Sequence, residues 1–295
     1  MIHRMIHSGT VSARKALRLT LDRRIWLVPF LGAAMCGLVY WQSAARYPTG
    51  AASGTAIPSS TPNAPAATEV WRVAIWNIHS GKGRDQRVDL PRIATHLTAV
   101  DFVALNEVRG LAGRPVLDQA AALGELLDAG GLFLPYERRF GRDDFGNGVV
   151  TRSSVSAWVR IPLPHTRVKG HGNVTLLSVT HLERPVQVLV THIDHGADRR
   201  RQLEFVYELF QSLSEPAVLM GDLNTQGNDA PLVDWLSEPG VIDPLAACAV
   251  VSPADRVDWI LVRGLECLSA GCEETGASDH PLIWAELALP ERSRE

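Results

Sequence analysis

Apolar positions change their spacing several times along the chain, and each change predicts an element. The 21 residues from Ile25 to Ala45 carry no charge, and Ile25–Trp41 is almost wholly apolar. At about 1.5 Å per residue, a helix of that length spans roughly 30 Å, the hydrocarbon thickness of a bilayer. Residues 46–69 are dominated by Ala, Pro, Ser, Thr and Gly, with no charge from Pro48 to Thr68. Such a stretch buries too little apolar surface to fold and predicts a flexible tether. Beyond it, Val70–Trp76 alternates apolar and polar residues and predicts a strand ending at Asn77. A helix over Leu90–Ala99, opened by Pro91, is followed by a strand over Asp101–Leu105 that ends at Asn106-Glu107. Asp118–Leu127 is helical in pattern, and Gly148–Val150 and Ser156–Ile161 read as strands. Val174–Leu182 and Val186–Thr191 predict a hairpin, Arg199–Leu213 a helix, and Ala217–Met220, Arg256–Val262 and Leu282–Leu287 strands. Strands mixed with helices predict a layered α/β (α+β) body over residues 70–290, followed by a short tail at 291–295.

The flanks of the apolar stretch add a direction. Residues 1–24 are basic, and Trp26, Tyr40 and Trp41 lie near its ends, where amphipathic rings favour the headgroup zone. This pattern predicts a transmembrane anchor over residues 25–45, with a cytoplasmic N-terminus and an extracytoplasmic body. The rival is a secreted protein whose signal peptide is cleaved near Ser43-Ala44-Ala45, with Asp22-Arg23-Arg24-Ile25-Trp26-Leu27 loosely similar to a twin-arginine signal. The anchor is preferred because the stretch exceeds an ordinary signal core.

Composition narrows the classes further. At 46% hydrophobic and 21% charged residues, the chain is neither disordered nor a disulfide scaffold. Its net charge of −3 hides an asymmetry, because residues 1–69 hold 7 basic and 2 acidic groups and the remainder stands at −8. Such a body is a poor partner for bulk nucleic acid, whose non-specific binding depends on neutralising phosphates. With Cys36 inside the apolar stretch, Cys248, Cys267 and Cys272 allow one disulfide, and Cys267–Cys272 is one pairing. No CxxC pair supports a metal site among them.

Chemistry gathers where the strands end. Asn77, Glu107, His192, Asp222 with Asn224, Asp258 and the Asp279-His280 pair each sit in or just after a strand-like run. A rigid sheet can aim such residues into one cleft. In Gly221-Asp222-Leu223-Asn224 the period of two places Asp222 and Asn224 on one face, and Gly221 either admits a ligand close to the backbone or makes a turn. Alone, each of these has a plainer reading as a solvated carboxylate, an Asx turn or a loop histidine.

Together the segments Trp76-Asn77-Ile78-His79, Leu105-Asn106-Glu107, Gly146-Asn147-Gly148, Thr191-His192-Ile193-Asp194-His195, Gly221-Asp222-Leu223-Asn224, Arg256-Val257-Asp258-Trp259-Ile260 and Ser278-Asp279-His280-Pro281 form an ordered series. That series resembles the endonuclease/exonuclease/phosphatase superfamily, which includes pancreatic deoxyribonuclease, abasic-site endonucleases, inositol-polyphosphate 5-phosphatases and neutral sphingomyelinases. The resemblance implies a four-layered sandwich of two packed β-sheets flanked by helices, and metal-dependent cleavage of a phosphoester. It implies Asn77, Glu107 and Asp279 as metal ligands, and oxygen donors of this kind suit Mg²⁺ or Mn²⁺ rather than Zn²⁺. It further implies Asp222 as the carboxylate that orients or deprotonates water, with Asn224 beside it. His280 would face the phosphate with Asp258 as its partner, and His192 would serve as a second histidine that donates to phosphate or leaving group.

Two positions depart from relatives. His79 stands where abasic-site endonucleases place an aspartate, which argues against DNA repair, and Asn106 stands where glutamine is commoner. His181, one hairpin strand earlier, is the alternative to His192. Asn147 either lines the site or occupies a left-handed turn, and Asp194, His195 and Arg199 read as a solvated helix entry. Serine-hydrolase, zincin and P-loop signatures are missing from the sequence. The expectation is a monomeric, membrane-anchored phosphoester hydrolase acting on a lipid headgroup or small phosphoester. A secreted or surface nuclease and a catalytically silent binding module are the alternatives.

Overall fold

The computed structural model describes residues 28–40, 46–57, 68–111, 118–139, 143–166 and 171–290. The chain divides into two units, one of Met1–Ala45 with Phe140–Arg142 and one holding the rest. In the first, residues 28–40 are helical, with Val28, Phe30 and Met35 among the exposed side chains. No helix among the described residues is long and apolar enough to cross a membrane. The expected anchor over residues 25–45 lies partly outside the described residues, and the basic segment 1–24 and the tail 291–295 lie wholly outside them.

The second unit is built on two mixed sheets. Seven strands form the first, in the order β1 (Arg46–Pro48), β5 (Gly130–Arg139), β6 (Asp144–Thr151), β4 (Phe102–Gly110), β3 (Val70–Asn77), β13 (Leu282–Ala288) and β12 (Glu266–Glu273). Six form the second, in the order β11 (Asp258–Arg263), β10 (Ala217–Asp222), β9 (Arg184–His192), β8 (Asn173–His181), β7 (Ser154–Pro162) and β2 (Ala52–Thr55). Among the described strands, only β3–β4 and β9–β10 pair in parallel. Each of these pairs is joined by a crossover helix, because parallel neighbours cannot be linked by a tight turn.

Three apolar cores follow from this layering. Val73, Ile75 and Phe102 of the first sheet meet Val188, Val190, Met220 and Ile260 of the second between the sheets. Helices α1 (Leu90–His96) and α2 (Gln119–Leu126) cover the outer face of the first sheet through Ile93 and Leu123. Helices α3 (Arg199–Ser212) and α4 (Leu232–Ser237) cover the second through Leu203, Val206, Phe210 and Trp235. The spacing of 203, 206 and 210 puts those α3 side chains on one stripe. Local signals set the starts of α1 and α2. Asp89 accepts from Arg92 N at 3.0 Å with Pro91 in the first turn, and Asp118 accepts from Ala121 N at 2.7 Å.

The residues read as a tether behave otherwise in part. Arg46–Pro48 pairs with β5, Ala52–Thr55 pairs with β7, and Ile57 packs into the central core. Strand pairing uses backbone groups and asks little of side chains, so the Ala/Ser/Gly composition concealed it. Residues 58–67 lie outside the described residues. The apolar pattern also missed β5, which holds two glycines and a proline, and the edge strand β12. Cys267 and Cys272 both lie on β12, five residues or roughly 16 Å apart at about 3.3 Å per residue, too far to pair. The nearest sulfur to Cys267 is instead that of Cys248, at 3.5 Å.

Candidate active site

The second sheet sets three of the expected residues in one row. His192 is opposite Asp222 across β9–β10, and Asp222 is opposite Asp258 across β10–β11. Asp222 is 2% exposed. Its Oδ1 accepts from Asn224 N at 2.9 Å, its Oδ2 accepts from Asn77 Nδ2 at 3.2 Å, and His192 Nε2 lies 3.5 Å from Oδ2. Asn224, with φ of 46°, turns its amide to the Ile193 carbonyl at 2.8 Å and His192 Nε2 at 3.2 Å. Gly221 is not a turn residue. It lies within β10 opposite Thr191, and any Cβ there would collide with the Thr191 carbonyl.

The first sheet supplies Glu107 through a bulge. Leu105 pairs with Gly148 and Val108 with Gly146, so Asn106 and Glu107 together face Asn147. Glu107 has φ of 58°, a left-handed conformation that is uncommon outside glycine and tends to occur where function fixes it. The bulge sends the two side chains to different tasks. Glu107 lines the cleft, whereas fully buried Asn106 spans the sheets, donating to Asn147 Oδ1 at 2.8 Å and Thr191 O at 2.9 Å and accepting from Asp222 N at 2.9 Å. Asn147 in turn donates to Asn173 Oδ1 at 3.1 Å, so it is an internal strut in β6 rather than a left-handed turn.

His280 arrives from the loop before β13. Its Nδ1 is 2.7 Å from Asp258 Oδ2, its Nε2 is 4.0 Å from Asp222 Oδ2, and its carbonyl accepts from Trp76 Nε1 at 3.1 Å. Burial would lower the His280 pKa, but the Asp258 hydrogen bond and the charges of Asp258, Asp222 and Asp279 outweigh it and raise it to about 9. Burial raises Asp258 to about 6 against the pull of His280, and its Oδ1 is buried without a hydrogen-bond partner among the described residues. The raised His280 value favours an imidazolium–carboxylate pair between partly exposed His280 and buried Asp258.

Glu107, His192, Asp222, Asn224 and His280 therefore line one cleft of about 470 Å³. Asn77 and Asp258 are buried beneath it, bonded to Asp222 and His280. Asp279 is the outlier among the expected residues, because it is exposed and its carboxylate lies 3.4 Å from His79 Nδ1. His181 sits at the far end of the β8–β9 hairpin, stacked on Trp71, so of these two histidines it is His192 that lines the cleft. Of the presumed helix-entry cluster, Asp194 and His195 also line the cleft, and Arg199 donates to the Asn224 carbonyl at 3.0 Å.

Sequence reasoning passed over the wall contributed by β5 and β6. Tyr136 OH is 3.4 Å from His192 Nδ1, and its ring meets Phe145 and His192 edge to face. Burial, with Glu107 next, raises the Tyr136 pKa well above its usual value, so the hydroxyl stays protonated. An aromatic residue in a strand paired with the Gly146-Asn147-Gly148 segment was the available signal.

A hard cation suits this donor set. The Glu107 carboxylate has no hydrogen bond or ion pair among the described residues, and Asn77 Oδ1, below the cleft, accepts from His79 N at 3.1 Å and keeps a second lone pair. Asp222, Asp258 and His280 also cluster with ligand atoms within 4.8 Å of one another. Their atoms, however, already bond one another, Asn77 and Asn224, which marks a hydrogen-bonded group more than a cation cage.

Residues 74–280 match the model of the endonuclease/exonuclease/phosphatase family, and the chain belongs to that family. Members are usually metal-dependent phosphoester hydrolases. A solved endonuclease/exonuclease/phosphatase from Beutenbergia cavernae is 25% identical, with a TM-score of 0.59 over 77% of this chain and 73% of its own. A mannosyl-6-phosphatase from Bacteroides thetaiotaomicron, 17% identical with a TM-score of 0.57, aligns over 74% of this chain and all of its own. The human Nocturnin catalytic domain, 16% identical with a TM-score of 0.54, aligns over 75% and 94%. The last two likenesses concern the fold. No curated protein matches the sequence.

Proposed function

We propose that this protein is an extracytoplasmic, divalent-metal-dependent phosphodiesterase, held to a membrane by residues 25–45 and acting on a lipid headgroup or other small phosphoester. The observation that carries the chemistry is the convergence of Glu107, His192, Asp222, Asn224 and His280 from both sheets onto one cleft. Glu107, Asn77 and Asp279 would hold Mg²⁺ or Mn²⁺, which when bound neutralises phosphate charge, and Asp279 would exchange its contact with His79 for the ion. Asp222 orients the attacking water and takes its proton, steadied by the Asn224 N–H. The His280 imidazolium, fixed by Asp258, faces the charge that develops on the phosphoryl oxygens. His192, beside Tyr136 and Asn224, donates to the leaving oxygen. A body at −8 and an apolar N-terminal stretch favour a small or lipid phosphoester over long DNA.

The test compares linear DNA, a phosphomonoester and sphingomyelin vesicles, each with Mg²⁺ and with a chelator. Metal-dependent release from the vesicles is expected, whereas preferential cutting of DNA would establish the nuclease instead. Asp222→Asn and His280→Ala should each lower turnover on the preferred substrate by roughly 10²–10⁴-fold, and His280→Ala should also lower Tm because it leaves Asp258 buried without its partner. Wild-type turnover in either variant would remove the assigned roles, and no turnover of any substrate by the wild type would leave the silent binding module.

A further inference from the structure

Away from the cleft, two cysteines from distant parts of the fold meet. Cys248 caps the C-terminal end of a short helix, α5 (Pro244–Ala247), on the segment that leads into β11 of the second sheet. Cys267 lies on β12, the edge strand of the first. Helix α5 packs on both β11 and β12, and the two sulfurs are 3.5 Å apart, in van der Waals contact. Both residues are partly exposed.

We propose that Cys248 and Cys267 are a disulfide-forming pair, oxidised by exchange with a small organic disulfide such as oxidised glutathione. One thiol, as thiolate, attacks the oxidant and releases one small thiol. The second cysteine then attacks the mixed disulfide, its proton leaving with the second small thiol. One Sγ–Sγ bond forms, the oxidant's S–S bond breaks, and two electrons and two protons pass to the oxidant. Burial and the neighbouring Cys248 sulfur push the Cys267 thiol up, so the exchange is expected to run faster as pH rises.

Bond formation closes 3.5 Å to about 2.05 Å, an approach that α5, a single turn at the protein surface, can supply. The bond would tie the first sheet's edge strand to the segment that begins at Asp243. Arg256 pairs with Asp243 and donates to the Asp258 carbonyl at 3.2 Å, so the same segment braces the strand carrying Asp258. The proposal stands apart from the hydrolase reading, although an extracytoplasmic body would put the pair where disulfides persist.

The test equilibrates the full chain with oxidised glutathione, alkylates free thiols under denaturing conditions and maps the peptides by mass spectrometry. A Cys248–Cys267 cross-linked peptide about 2 Da below its reduced form is expected, with Cys36 and Cys272 alkylated. Tm should be about 5–10 °C higher in the oxidised protein than in the reduced one. Cys272→Ser should keep this difference and Cys248→Ser should abolish it. Alkylation of both Cys248 and Cys267, or a linkage to Cys272, would overturn the proposal, and the mapping needs no variant to fold.

Discussion

Asp258 and His280 each lose hydration on burial, and each recovers it mainly from the other at 2.7 Å. The consequence is measurable without any metal. In the metal-free protein, NMR should place the His280 titration near pH 9, and Asp258→Asn should lower it by about one pH unit or more. A midpoint near the ordinary 6.5 in the wild type would refute the pairing. Because the folded value lies above the unfolded one, the imidazolium's contribution to stability is fully present below about pH 6.5 and is lost as pH rises through about 9. Asn106 raises a different issue at the same scale, since its one amide joins the strand bearing Glu107 to the strands bearing His192 and Asp222. Asn106→Ala leaves the Asp222 N–H and the Thr191 carbonyl short of a partner, at a cost of about 2–4 kcal/mol. The expected result is a lower Tm and a lower kcat with KM nearly unchanged, whereas wild-type values for both Tm and kcat would reduce Asn106 to a passive core residue.

Among elements, the instructive cases are those in which backbone pairing outweighed composition. Strand β1 adds to the edge beside Tyr136 and Glu137, with Thr49 N donating to the Tyr136 carbonyl at 3.1 Å and Arg46 paired to Glu137 at 2.8 Å. Strand β2 lies against β7, and Ile57 is 7% exposed. These residues belong to the folded body, so a chain beginning at Arg46 should keep the body's Tm. A chain beginning at Thr68 should lose several degrees, since burial of one Ile is worth about 1.5–3 kcal/mol before the strand pairing is counted. Equal melting of the two chains would return residues 46–57 to the status of a tether. The bulge in β4 makes the converse point, because a regular strand would alternate its faces and could not send Asn106 between the sheets while holding Glu107 at φ 58° in the cleft.

For the whole molecule, the basic N-terminal segment, the apolar stretch and the acidic body together form a charge gradient along the chain. If residues 25–45 span a membrane, an enzymatic reporter fused after Glu295 should be active only on the extracytoplasmic side, and cytoplasmic activity would overturn that topology. Much else about the molecule was legible in one dimension. Periodicity located β3, α1, β4, the β8–β9 hairpin, α3, β10, β11 and β13, because each presents an apolar face at its natural spacing. Polar residues at the ends of those strands, in family order, identified the groups that meet in the cleft, since a strand end fixes where a side chain emerges. Only the tertiary structure could decide what depends on contacts between segments distant in the chain. The Asn106 strut, the Tyr136 wall, the Cys248–Cys267 contact and the pairing of Asp279 with His79 join residues that no local pattern relates. A strand's own side chains determine which face it buries, but its partners across the sheet and across the core determine what a polar group on that face will touch.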